Sequence, residues 1–179
     1  LPVLETERLI LRPLQEKDIQ EVYDNWASDP KVAKYTSWKA HQSINETAQF
    51  VNQVVSNYED GLMDTWGIVS KSDSRLIGSG GYTPDSKKGG VCNIGYALSR
   101  PYWNQGLMTE AVKKMVEFGF STLMPSRLQS YVYVEHEASQ KVLKKVGFQF
   151  EGILRNYCLH HGKPTDVNMF SVQPSDLNK

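Results

Sequence analysis

The chain has 179 residues, 40% apolar, 11% aromatic and 22% charged, a balance that excludes a disordered or fibrous protein and fits one compact domain. Lys and Arg number 20 and so do Asp and Glu, giving zero formal net charge, so direct nucleic-acid binding and an anionic-membrane clamp are not expected. Two cysteines supply neither a disulfide framework nor a four-ligand zinc site. No run approaches the roughly 18 to 20 apolar residues of a membrane span, and the opening Leu1-Pro2-Val3-Leu4-Glu5-Thr6-Glu7-Arg8 lacks the basic-then-apolar pattern of a secretory signal. A reduced, cytoplasmic, metal-free protein is expected, as monomer or homodimer.

Residues 6–13 read as a first strand ended by Pro13. Ile19, Val22, Tyr23 and Trp26 then fall on one helical face, stopped by Asp29-Pro30. Ser43 and Glu46 have capping-box spacing, and Ile44, Ala48, Val51, Val55 and Tyr58 continue as a helix closed by Gly61. The period changes to strands at 65–71 and 75–82, joined by Ser72-Asp73-Ser74. A polar loop over 83–90 leads to a strand at 91–98. Met108, Ala111, Val112, Met115 and Val116 share a helical face. A strand follows at 127–134, then a helix at 137–146 stopped by Gly147, and two strands at about 148–159 and 163–172 joined across His161-Gly162. The order β-α-α-β-β-β-α-β-α-β-β, with no linker or repeat, implies a single-domain α/β or α+β sheet covered by helices.

Phosphate-loop, dinucleotide and nucleophile-elbow motifs are all missing. Gly78-Ser79-Gly80-Gly81 lies inside a strand and reads as a packing feature. His41, His136, His160 and His161 do not share a metal spacing; His160 and His161, which would face opposite ways on a strand, read as a solvated hairpin end. The informative stretch is Asn93 to Ala111, where a strand, a short polar turn with Gly106 and a helix follow one another. Free amides at a helix start suit a pyrophosphate, and Gly106 lets the backbone approach it closely.

Ile94-Gly95-Tyr96 with Trp103-Asn104-Gln105-Gly106-Leu107-Met108-Thr109-Glu110-Ala111 resembles the acetyl-CoA motif of the GNAT superfamily of N-acetyltransferases, Q/R-x-x-G-x-G/A. Trp103 stands at the Q/R position and Met108 at the last G/A, so Gly106 alone matches strictly. The Gly-Leu-Met form resembles the branch acting on N-terminal alanine or serine of ribosomal proteins. Residues 5–12, Ala138 to Phe148, and Glu151 to Tyr157 with Gly162 and Asp166 resemble that branch's opening strand, N-x-x-S segment and closing hairpin; His136 replaces the usual Asn of that segment.

The resemblance spans about residues 5–172. It implies the acyl-CoA N-acyltransferase fold: a mostly antiparallel mixed sheet with a splayed central parallel pair, here 91–98 and 127–134, and helices on both faces. Pantetheine would lie between those strands, paired with backbone groups of Ala97, Leu98 and Ser99. Amides from Asn104, Gln105, Gly106, Leu107, Met108 and Thr109 would hold the pyrophosphate of acetyl-CoA, the cosubstrate. Ser139 matches the family serine that serves the leaving thiolate. Where many relatives carry a basic Glu this chain has Asn93, so Glu135 and Asp64 are the candidate proton acceptors, with Glu135 preferred. The amine acceptor implied is a protein N-terminus of the ribosomal type. The alternatives are a small amine such as a polyamine or aminoglycoside, or a domain that binds acyl-CoA without turnover. Residues 24–62, the 83–90 loop and the final hairpin would shape the acceptor pocket, with Trp26, Tyr35, Trp38, Tyr82 and Tyr157 as possible lining.

Overall fold

The computed structural model describes residues 1–60, 65–85 and 89–177. Its strands are β1 (Leu4–Glu5), β2 (Leu9–Pro13), β3 (Thr65–Ser70), β4 (Leu76–Pro84), β5 (Val91–Leu98), β6 (Arg127–Tyr133), β7 (Gln149–His160) and β8 (Lys163–Val172). They form one mostly antiparallel sheet in the order β1-β2-β3-β4-β5-β6-β8-β7, with β5 and β6 as the parallel pair. The helices are α1 (Ile19–Val22), α2 (Pro30–Ala33), α3 (Ile44–Glu59), α4 (Leu107–Phe118) and α5 (Glu137–Val146). Two compact units arise, Leu1–Tyr82 with Gly95–Lys114, and Thr83–Ile94 with Met115–Lys179.

In the first unit the strand expected over 6–13 is present as β2, ended at Pro13 as expected, but it starts at Leu9 because residues 6–8 form the turn of a tight hairpin from β1. β1 and β2 pair with Leu4 opposite Leu11. The Thr6 hydroxyl accepts the Leu9 amide at 3.0 Å, and the Thr6 amide donates to the Leu9 carbonyl at 3.0 Å. A side-chain turn of this kind interrupts a ladder where alternation alone would continue it. Asp29-Pro30 also differs from expectation, because it starts a helix as well as ending one. The Asp29 carboxylate accepts the Lys31 amide at 2.9 Å, and Pro30 opens α2. The Ser43–Glu46 capping box does not form: Ser43 caps no amide with its side chain, and Glu46 accepts the Gln42 amide instead at 3.1 Å.

Helical spacing buries Val51 and Val54 of α3 against Leu14, Val22, Trp26, Val32 and Leu76, the core of this unit. Trp66 is fully buried, stacks edge-on to Tyr82 at 5.6 Å and donates its indole N–H to the Pro2 carbonyl. The buried Asp18 carboxylate is held by a two-pronged Arg12 guanidinium at 2.7 and 2.8 Å, the pairing a charge needs inside a protein. The glycine run in β4 is a packing feature: a Cβ on Gly78 would stand 2.3 Å from the Ala97 carbonyl oxygen of β5.

In the second unit α5 buries Leu143 and Val146, and Gly147 at φ 106° closes it with the Phe148 amide bonded to the Leu143 carbonyl. β8 lies between β6 and β7. The β7–β8 hairpin turns on His161 and Gly162, both at positive φ, the backbone signature of a two-residue I′ connection. His160 and His161 thus lie at a hairpin end, as expected, with their rings 4.0 Å apart.

Candidate active site

α4 starts from a turn in which Asn104 and Gly106 both adopt left-handed backbone, at φ 60° and 76°. The first α4 amide to find a helical carbonyl is that of Glu110, which donates to Gly106 O at 3.1 Å. Among the described residues the amides of Gly106, Leu107, Met108 and Thr109 have no protein acceptor. Four adjacent donors at the positive end of a 12-residue helix are the kind of arrangement an anion favours, a candidate anion cradle. Asn104, Gln105 and Gly106 are exposed, whereas Leu107 and Met108 are buried and anchor the turn to the core.

The end of β5 leads into this turn. The Ser99 amide donates to the Ile77 carbonyl at 2.8 Å, and the Ala97 carbonyl faces Gly78 of β4. By the alternation of an antiparallel ladder the Leu98 backbone groups point the other way. Its carbonyl accepts the Trp103 indole N–H at 2.6 Å. Trp103, at the position where the motif has Gln or Arg, therefore ties the strand end to the turn while its ring stays 41% exposed. Ala97 to Ser99 thus lead along the chain into residues 104–109, with Leu98 and Ser99 buried and Asn104 to Gly106 exposed.

Ser139 lies buried at the third position of α5. The N-cap position belongs to His136, whose side chain caps no amide, so Ser139 is not the helix cap. Burial lowers the His136 imidazole pKa below its ordinary value. Glu135 is exposed in the turn between β6 and α5, where its carbonyl accepts the Glu137 amide. Asp64 lies outside the described residues.

Asn93 is an engaged amide. Its Oδ1 accepts from Gln129 at 3.0 Å, and Gln129 accepts from Arg127, which forks onto Glu151 at 2.6 Å through each nitrogen. Bonds from Arg127 and from the Ser171 hydroxyl lower the Glu151 carboxyl to about 2, against the opposing effect of its burial. The chain of bonds sits where β5 and β6 run in register from Val91 opposite Arg127 to Asn93 opposite Gln129. On the closing hairpin Tyr157 is exposed, meets the Tyr131 ring edge-on at 5.3 Å, and lines a shallow groove with Ile153, Arg155 and Asn156. Of the other aromatics considered for the acceptor, Trp26 and Tyr82 are buried in the first unit, while Trp38 packs half-buried against its core.

Two residues that the motif reading left without a role reach the anion cradle. Thr6 and Arg8 both bond Glu110 of α4, and Arg8 also bonds the Gln105 carbonyl. Their signal in sequence was only their membership in the opening motif.

Residues 8–149 match the acetyltransferase (GNAT) domain family, and the chain belongs to that family. It is an acetyl-CoA-dependent N-acetyltransferase. It is 33% identical over 171 residues to the uncharacterized N-acetyltransferase YoaA of Bacillus subtilis, covering 96% of each chain. Among solved structures it resembles a GNAT-family acetyltransferase of Bacillus anthracis, with TM-score 0.85, 22% identity and coverage of 96% and 98%. It also resembles RimL, a ribosomal L7/L12 α-N-protein acetyltransferase in complex with coenzyme A, with TM-score 0.84, 19% identity and coverage of 96% and 98%. Among the described residues no three His, Cys, Asp or Glu side chains group as a metal site, and no helix is long and apolar enough to cross a membrane.

Proposed function

We propose that this enzyme transfers the acetyl group of acetyl-CoA to the N-terminal α-amine of a protein, of the ribosomal-protein type. The observation that carries the reading is the α4 turn, which follows the end of β5 and has four adjacent amides without protein acceptors among the described residues. The diphosphate of acetyl-CoA is the anion that turn suits, with Asn104 to Thr109 around it. The Ala97–Ser99 segment borders the pantetheine arm, and within it the Leu98 amide is the group turned away from β4.

The reaction forms a C–N bond from the neutral amine to the thioester carbonyl carbon and breaks the C–S bond. The Ser139 hydroxyl bonds the departing thiolate, which lowers its charge density in the transition state. Glu135 takes the amine proton through water. Asn93 cannot accept a proton, and its amide is held by Gln129. An α-amine, with a pKa about 8 against about 10.4 for lysine, needs the weaker base. The α-N-protein acetyltransferase among the solved structures supports the same acceptor class. The exposed groove lined by Ile153 and Tyr157 on the closing hairpin is the proposed acceptor surface.

The test is CoA release from acetyl-CoA with peptides beginning in Ala or Ser, with polyamines, and with aminoglycosides, the products weighed by mass spectrometry. Peptides acetylated on the α-amine are expected. Turnover confined to polyamines or aminoglycosides would overturn the acceptor class, and CoA binding without any turnover would overturn the catalytic reading.

A further inference from the structure

Arg8 precedes β2 and is separated in sequence from the α4 turn by almost a hundred residues, yet its guanidinium is built into that turn. Nε donates to Glu110 Oε2 at 2.7 Å, and Nη1 donates to the Gln105 carbonyl at 2.9 Å. Glu110 Oε1 accepts the Arg8 backbone amide at 2.8 Å and the Thr6 hydroxyl at 2.5 Å. Burial of Glu110 opposes its ionisation, but the bonds from Thr6 and from the Arg8 amide and guanidinium outweigh it and hold the carboxyl below its ordinary range. The carboxylate therefore accepts three bonds, two on Oε1 and one on Oε2, and Arg8 is clamped from behind.

The consequence lies in the Gln105–Gly106 peptide. A trans peptide is planar, with its carbonyl and its N–H pointing in opposite directions. Fixing the Gln105 oxygen on Arg8 therefore fixes the Gly106 N–H on the far side of the turn, where the anion cradle opens. It also turns a carbonyl dipole away from a bound anion, which that dipole would repel. Glu110 itself would compete with an anion for the positive end of α4, and its three bonds hold it away.

We propose that Arg8 is a positioning residue for the cofactor diphosphate: it orients the 105–106 peptide so that the Gly106 amide faces the phosphates, with Glu110 and Thr6 as its lock. The inference rests on the acetyl-CoA site proposed above. Lysine cannot replace it, because one ammonium lacks the planar fork that reaches both Glu110 and Gln105.

The test compares wild type, Arg8→Ala, Arg8→Lys and Glu110→Ala for CoA affinity by calorimetry, for pantetheine affinity by ligand-observed NMR, and for Tm. Arg8→Ala is expected to weaken CoA about 10- to 50-fold, and Arg8→Lys to recover little of it. Glu110→Ala should cost a comparable factor, and the double variant no more than the larger single one, since the two residues act as one unit. Pantetheine, which lacks the diphosphate, should bind every variant as it binds wild type. Apparent KM for acetyl-CoA should rise while kcat at saturation stays within about threefold. Wild-type CoA affinity in folded Arg8→Ala, or an equal loss of CoA and pantetheine affinity, would overturn the inference and leave the proposed site standing. A wild-type protein that binds no CoA would overturn both.

Discussion

Gly106 separates backbone geometry from charge at the cofactor turn. Its φ of 76° is one at which an L residue costs roughly 1–2 kcal/mol. A Cβ at that position would lie 3.6 Å from Arg8 Nη2, an ordinary contact, so Gly106→Ala adds strain without a clash. The strain shows in one of two places. If the turn keeps its shape, stability falls and Tm drops by roughly 2–8 °C, at 2–4 °C per kcal/mol for a domain of this size. If the turn relaxes to negative φ, the Gly106 amide swings away and CoA binds about 5- to 30-fold more weakly, the ratio that 1–2 kcal/mol represents. Gly106→Asn tolerates the left-handed region and should retain most of both properties. Gly106→Glu carries the same strain and adds a carboxylate beside Arg8 at the helix start, where the diphosphate is proposed to lie. Its Tm should match that of the alanine variant while CoA binding disappears. Calorimetric titration with CoA and a thermal melt on each of the three variants read both quantities. A folded Gly106→Glu protein that binds CoA with wild-type affinity would refute the site.

Ser139→Ala should lower kcat by about 10- to 1,000-fold with CoA affinity unchanged; because His136 holds the N-cap position, its Tm loss should fall below that of a lost cap, which is about 1 kcal/mol. Steady-state rates and a melt on the same sample check this. Glu151 has its folded pKa lowered to about 2 from 4.5, so its contribution to stability is full above about pH 4.5 and disappears as pH falls toward 2. Glu151→Gln should therefore melt below wild type at pH 7, and the gap should close across that window in a pH series of melts. Gly78→Ala puts a Cβ 2.3 Å from a backbone oxygen of β5, so the strands must part, and a destabilisation of about 1–3 kcal/mol or more is expected in a denaturant titration.

Strand and helix identities were legible because burial follows period. Val51 of α3, Leu143 and Val146 of α5, and the glycine-rich β4 sit where spacing and composition put them, while in α3 Val54 is buried and the expected Val55 only partly so. The readings that differed share one cause, which is a polar side chain bonding its own neighbourhood. Thr6 folds the opening segment into a hairpin, Asp29 restarts a helix at a proline that ought to end one, and Glu46 reaches Gln42 instead of closing a box. Such bonds depend on one rotamer at one residue and leave hydrophobic periodicity untouched, so no window of apolar spacing detects them.

The site divides along the same line. The α4 turn was legible because it is local: a strand, a turn with Gly106 and a helix start follow one another between Asn93 and Ala111, and helix-start amides belong to the backbone whatever the side chains are. What completes the cradle is not local. Arg8 reaches Gln105 and Glu110 across a sequence separation of 97 and 102 residues, and an arginine in a short polar turn looks like any solvated charge until the sheet brings it to α4. Trp103 illustrates the converse. Read against the motif it was a departure, an aromatic where Gln or Arg is usual, yet its indole N–H bonds the Leu98 carbonyl five residues back. That bond ties the end of β5 to the turn through an N–H donor that hydrophobic periodicity does not reveal. A motif written as residue types does not record such contacts, which in this chain an indole makes at the front of the turn and a guanidinium behind it.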